Sequence, residues 1–337
     1  MNKFKLMTLA VAALLFASCC NSTCKSESKE VKTQQTPLAS WNAGVRQQII
    51  DYVTDVTSPE SPNFVPVSDR VATFDNDGTL WSEKPVPFQI FFAIDEIKRL
   101  APEHPEWKDK EPFKSAINGD LNALVAQGSD AVVQLVVASH TNITSDAFTE
   151  NIKNWISTAK HPTKHVKYTD LVYEPMLELL QYLREHDFKT FIVSGGGITY
   201  MRAWAEQVYG IPRNQVIGTS FETQFDFNDG DVQIQRLPAV NFYDDKLNKP
   251  LAIERHIGIR PIFAAGNSDG DFQMLQYADA NKHKSFQLYI SHTDGDREFE
   301  YGREDLIAPL NEGMDYALAH GWCIVDMKKD WKTVCKK

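Results

Sequence analysis

The pattern of apolar and polar positions divides the chain into stretches with different rhythms. Over residues 40–56, Val45, Ile49, Val53 and Val56 recur at helical spacing, which predicts one amphipathic helix begun by Ser40 as its cap. Pro59, Pro62 and Pro66 then keep the backbone extended up to a short apolar run, residues 71–74, with the length of a buried strand. From residue 81 to residue 164 the rhythm is helical. Residues 88–100, 121–127, 131–138 and 145–159 predict helices, with breaks at Pro102, Pro105, Pro112 and Gly128 and no convincing strand between them. Beyond that point strand and helix patterns alternate. Strands are expected at 190–193, 216–217, 261–265, 286–290 and 323–327. Helices are expected from Pro175 to about His186, through Tyr209, over 249–257 and over about 305–320. Asn228-Asp229-Gly230 predicts a hairpin turn between 221–227 and 232–236.

This alternation predicts an α/β fold, a doubly wound parallel sheet with a helical cap inserted after the first core strand. The core would comprise residues 40–80 and 165–337, and the cap residues 81–164. Aromatic residues at helical spacing in the cap, Phe88, Phe91 and Phe92, are expected to pack, and His161 and His165 to face solvent.

The first 39 residues follow another logic. The apolar run at 6–16, behind Lys3 and Lys5, is too short to cross a bilayer and suits the centre of a signal peptide. It ends in Phe16-Ala17-Ser18-Cys19, which is similar to a bacterial lipobox with Phe16 where Leu is usual. On that reading residues 1–18 are removed, Cys19 is lipidated, and the polar residues 19–39 form a tether to the cell envelope, the lipid being the sole membrane contact. A plain signal peptide with incidental cysteines is the alternative. Of five cysteines, Cys19, Cys20 and Cys24 cluster here, while Cys323 and Cys335 could pair or remain free thiols. The 337 residues carry a formal charge of −10, and −12 once Lys3 and Lys5 are removed with residues 1–18. That sign argues against a nucleic-acid partner.

Candidate chemistry sits where predicted strands end. Asp75-Asn76-Asp77-Gly78-Thr79 follows the first strand, Ser194-Gly195-Gly196-Gly197 the second, and Gly266-Asn267-Ser268-Asp269-Gly270-Asp271 a later one, while Lys249 opens a helix. Acidic groups at the carboxyl ends of parallel strands are where open α/β sheets build active sites. A carboxylate such as Asp75 can attack phosphorus, Asp77 can hand a proton to a leaving oxygen, and Ser194 with the amides of Gly195 and Gly196 can hold phosphoryl oxygens. The helix after Ser194 would add its positive end.

In that order the four segments resemble the motifs of the haloacid dehalogenase superfamily, most closely its phosphoserine-phosphatase-like branch. The resemblance spans residues 71–271. It implies a nucleophile at Asp75, an acid/base at Asp77, a charge-neutralising Lys249 (with Lys246 a close competitor), and Mg²⁺ held by Asp75, Asp77, Asn267 and Asp271. Asn267 departs from the pattern, since many members carry Asp there, and Asp269 stays open as a ligand. Asp77 separates phosphate hydrolysis from the superfamily's dehalogenases, which lack that carboxylate. The implied substrate is a small phosphorylated metabolite. Phosphotransfer, pyrophosphate hydrolysis, or a non-catalytic envelope lipoprotein that binds an anion or a protein partner are the alternatives. Glu83 and Arg202 are weaker candidates for substrate contact.

Overall fold

The computed structural model describes residues 36–335. The segment expected to be a signal peptide and tether, with Cys19, lies outside the described residues apart from its last four positions. Among the described residues eight strands form one sheet in the order β2-β5-β4-β3-β1-β6-β7-β8. They are β1 (Val71–Phe74), β2 (Ile143–Thr144), β3 (Lys189–Gly197), β4 (Val216–Asn228), β5 (Asp231–Phe242), β6 (Phe263–Gly266), β7 (Phe286–Ser291) and β8 (Cys323–Asp326). From β4 through β8 by way of β3, β1, β6 and β7 every pairing is parallel, and only β2–β5 and β5–β4 are antiparallel.

Helices cover both faces of the sheet, as continuous burial of β1 and β6 requires. On one side Ile49, Val53, Leu179 and Leu183 pack with Phe74 and Ile192; on the other Ile253, Met274 and Leu275 pack with Val193 and Ala264. The helix Ala43–Thr57 presents the predicted face, with Val45, Ile49, Val53 and Val56 buried. Ser40 does not cap it. Asn42 holds that position, and the Ser40 amide and hydroxyl instead donate to Glu178, at 2.8 and 2.9 Å.

Between β1 and β3 the chain is almost wholly helical and builds its own apolar cluster around Ile94, Ile97, Trp107, Phe113, Leu124 and Leu135. This is the cap. It differs from the sequence expectation in an added helix, Phe113–Asn118, and in a short strand, where Ile143 and Thr144 pair with Arg236 and Gln235 of β5. The expected short strand and separate hairpin at 216–236 are one continuous ribbon, β4 and β5, reaching from the parallel core to the cap. The helix expected from residue 305 begins only at Glu312. Pro309 lacks an amide proton, and the Asp305 carboxylate accepts the amides of Ile307 and Ala308, so the backbone there turns instead of coiling.

Candidate active site

The chain leaves β1 for β3 on one side and later returns to β6 on the other. Strand order therefore reverses at β1, and the crevice beyond its carboxyl end is where such sheets bind ligands. Asp75 is the first residue past that end, its amide donating to Ala265 at 3.0 Å. The next turn needs Gly78. Its φ is +73°, and a Cβ there would lie 2.1 Å from Asn267 Nδ2 and 2.4 Å from Glu83 Oε1.

Lys249 closes the centre. It is 1% exposed, and its Nζ donates to Asp75 Oδ1 at 2.7 Å, Asp271 Oδ1 at 2.6 Å and the Val193 carbonyl at 3.0 Å. The competing Lys246 is exposed. Burial pushes the Asp75 carboxyl well up, and the neighbouring Asp271 adds to it, while the ammonium opposes both. For Lys249 burial works against the charge, but Asp271 and Asp75 outweigh it and hold the ammonium protonated. Asp77 accepts the Trp81 indole N–H at 2.8 Å, and Trp81 stacks on Trp204 with ring centres 4.2 Å apart. Burial lifts Asp77 to about 6, with Glu83 adding and Trp81 opposing. A carboxyl in that range can give and take a proton near neutrality.

Asp75, Asp77, Ser194, Gly195, Gly196, Lys249 and Asp271 all border one cavity of about 600 Å³. Of the loop after β3, the Gly196 amide donates to Ser194 Oγ at 3.2 Å and the Gly197 amide to Gln89 Oε1 at 2.7 Å. The helix behind it is only Ile198–Arg202, five residues. Arg202 donates to the Val216 carbonyl and is not on the cavity wall, whereas Glu83 is.

The 266–271 loop divides its acids between tasks. Asp269 accepts the amides of Asn311 and Gly313 and so fastens the start of the helix Glu312–His320. Asp271, expected as a metal ligand, turns one oxygen to Lys249 and the other to the amides of Asn267 (2.9 Å) and Ser268 (3.1 Å). Asn267 receives Thr79 Oγ1 at 3.1 Å and donates to Glu83 at 2.8 Å, and Tyr301 donates to the same Glu83 oxygen at 2.7 Å.

Among the described residues no three acidic, histidine or cysteine side chains converge as a ready-made metal cluster. The donor chemistry nonetheless fits a hard divalent cation. Among the described residues five carboxylates, Asp75, Asp77, Glu83, Asp245 and Asp271, border the cavity against the single ammonium of Lys249, and the Asn267 amide oxygen lies beside Thr79 and Glu83. Asp245 went unnoticed in the sequence because it lies in a loop with no strand or helix signal. Gln89, which anchors the Gly197 amide, lay hidden in an ordinary helical face.

His161 corrects another expectation. It is fully buried, bonded to the Lys84 carbonyl at 2.7 Å and packed against Phe88, while His165 is exposed. Phe88 and Phe92 pack in the core as their spacing predicts. Cys323 and Cys335 are free thiols.

The parallel sheet with carboxylates at its switch point and an ammonium between them defines a Rossmann-like hydrolase with a capped site. Residues 72–276 match the model of the haloacid dehalogenase-like hydrolases, and the chain belongs to that family. A conserved, functionally unknown protein from Anaerococcus prevotii superposes with a TM-score of 0.55 at 15% identity, over 85% of this chain and 92% of that one, and shares the fold. A protein of unknown function from Bordetella pertussis gives 0.47 at 13% identity (77% and 98% covered). A phosphoserine phosphohydrolase-like protein from Francisella tularensis gives 0.39 at 16% (74% and 98%). No curated protein matches the chain by sequence.

Proposed function

We propose that the protein hydrolyses a phosphomonoester through an aspartyl-phosphate at Asp75. The observation that carries this reading is the Lys249 ammonium, 2.7 Å from Asp75 Oδ1, on the same cavity as Ser194 and Asp77. In the first step an Asp75 oxygen attacks phosphorus and the ester P–O bond breaks, with Asp77 giving its proton to the departing alkoxide. In the second, Asp77 takes a proton from water, whose oxygen attacks phosphorus. The P–O bond to Asp75 then breaks and inorganic phosphate leaves. Ser194 and the loop amides would hold the phosphoryl oxygens, and Lys249 would balance their charge. Bound Mg²⁺ would supply further charge neutralisation at those oxygens, held by Asp75, Asp77 and Asn267, with Asp271 acting through Lys249.

Residues 1–18 and Cys19 support a lipid-anchored position in a bacterial envelope, with the membrane touched through that anchor alone. The test is phosphate release from p-nitrophenyl phosphate with Mg²⁺. Asp75→Asn should lower the rate by about 10³-fold or more, and a chelator should abolish it reversibly. Turnover undiminished in Asp75→Asn would refute the assignment.

A further inference from the structure

The catalytic end of the cavity is crowded with charge, but the cap end has none. Every side chain that the helices Leu121–Ala126 and Ser129–His140 contribute to the wall is Leu or Val, except Ser129 at the start of the second. Leu135 of that second helix packs inward with Ile94 and Ile97, while Val132, Val133, Val136 and Val137 face the cavity. The helix is therefore apolar on two sides, and the second, half-buried at Val132, Val136 and Val137, lines the cavity. Val133 remains 45% exposed, and Phe221 and Ile307 complete the apolar wall from the ribbon and from the loop before Glu312.

Charge complementarity narrows the choice further. Among the described residues Lys249 is the only lysine or arginine on the cavity wall, and it is committed to Asp75 and Asp271. A leaving group carrying a carboxylate or a second phosphate would find no free cation and would meet Glu83 and Asp245. Glu83 in turn is already bonded to Asn267 and Tyr301, at the catalytic end. Along the cap helices a polar leaving group would also lose its water to Leu and Val, with Ser129 the one hydroxyl they offer.

We propose that the substrate is a phosphomonoester of an uncharged, apolar alcohol whose hydrocarbon chain lies along the cap helices. The inference rests on the hydrolase reading above. A cavity of about 600 Å³ takes the phosphate and a medium-length chain. Each methylene brought out of water is worth about fourfold in binding, at roughly 0.8 kcal/mol.

The test is kcat/KM for ethyl, butyl, hexyl and octyl phosphate, below their micelle concentrations, in the Mg²⁺-supplied full chain. Phosphoserine and phosphocholine serve as charged competitors. A rise of roughly 10²-fold from ethyl to hexyl is expected, with both charged esters slower than hexyl. Val136→Asp, which places a carboxylate in the path, should cut the hexyl-to-ethyl ratio at least roughly tenfold. Val133→Asp, at a half-exposed position that tolerates a charge, should lower the same ratio, with circular dichroism checking that both variants fold. A flat series, preference for either charged ester, or an unchanged ratio in the folded variants overturns the inference while leaving the hydrolase reading standing. No release from any ester, p-nitrophenyl phosphate included, overturns both.

Discussion

Lys249 is the residue on which the centre depends for charge. Buried at 1% exposure between Asp75 and Asp271, it neutralises two carboxylates that would otherwise face one another away from water. Removing one partner of such a buried group costs more than the bond it made, because the remaining charges stay desolvated. Lys249→Met is expected to destabilise the fold by about 3–5 kcal/mol at pH 7, measured by urea unfolding. Adding Asp271→Asn to it should recover a good part, since one uncompensated charge disappears. Full stability in the single variant would mean that the carboxylates are neutral in the native protein. The residue types at this centre were legible in the sequence because the acids follow apolar runs of strand length and Lys249 stands at a helix start. The division of labour was not. Asp269 and Asp271 stand two positions apart in one loop, yet one fastens a helix and the other a lysine. Side-chain direction separates them, and sequence spacing carries no trace of it.

At the scale of elements, the join between cap and core runs through His140, the last residue of its helix. Its ring meets Gln89 at 2.9 Å and Ser139 Oγ at 2.7 Å, and its carbonyl accepts Arg236 of β5 at 2.6 Å. Gln89 also holds the Gly197 amide, so this join reaches the loop that carries Ser194. Burial drives His140 down from 6.5 to about 3, with the Arg236 charge adding. The folded ring is thus neutral, and the unfolded chain binds the extra proton between those values. Stability is fully present above about pH 6.5 and falls as the solution is acidified toward pH 3. From pH 7 to pH 5 this group should remove about 2 kcal/mol, and His140→Gln should remove that part of the pH dependence. Equal slopes of stability against pH in the two proteins would show that His140 does not titrate as described. Helices such as Phe88–Leu100 were legible because the 3.6-residue period survives any tertiary setting. The two-residue β2 was not, for it exists only by pairing with β5. Nor was the ribbon's full length: alternating Phe225, Phe227, Val232 and Ile234 marked its outer hairpin, but the junction to the parallel core at residues 218–220 and the stretch 237–242 have no such alternation.

At the scale of the whole molecule, the two ends of the described chain close on each other. Trp41 and Trp331 meet edge to face with centres 5.8 Å apart, both are buried, and the Trp41 indole donates to the Pro175 carbonyl at 2.9 Å. The described residues, 36–335, form one compact unit, which includes the cap. A chain starting at Thr36 is therefore expected to keep its melting temperature and its activity. Trp41→Ala should cost about 3–5 kcal/mol, read from denaturant midpoints. A truncated chain that melts markedly lower would refute that expectation.

By itself the sequence determined the α/β alternation, the position of the cap and the four segments from which the site is built. Apolar periodicity and strand-end chemistry are local properties, written residue by residue. Only the tertiary structure decided that Lys249 and not Lys246 reaches Asp75, that Asp271 serves that lysine, and that an aliphatic wall from the cap stands over the charged centre. Those facts depend on which faces meet across the sheet and its insertion, and burial, not composition, sets the charge each group carries there.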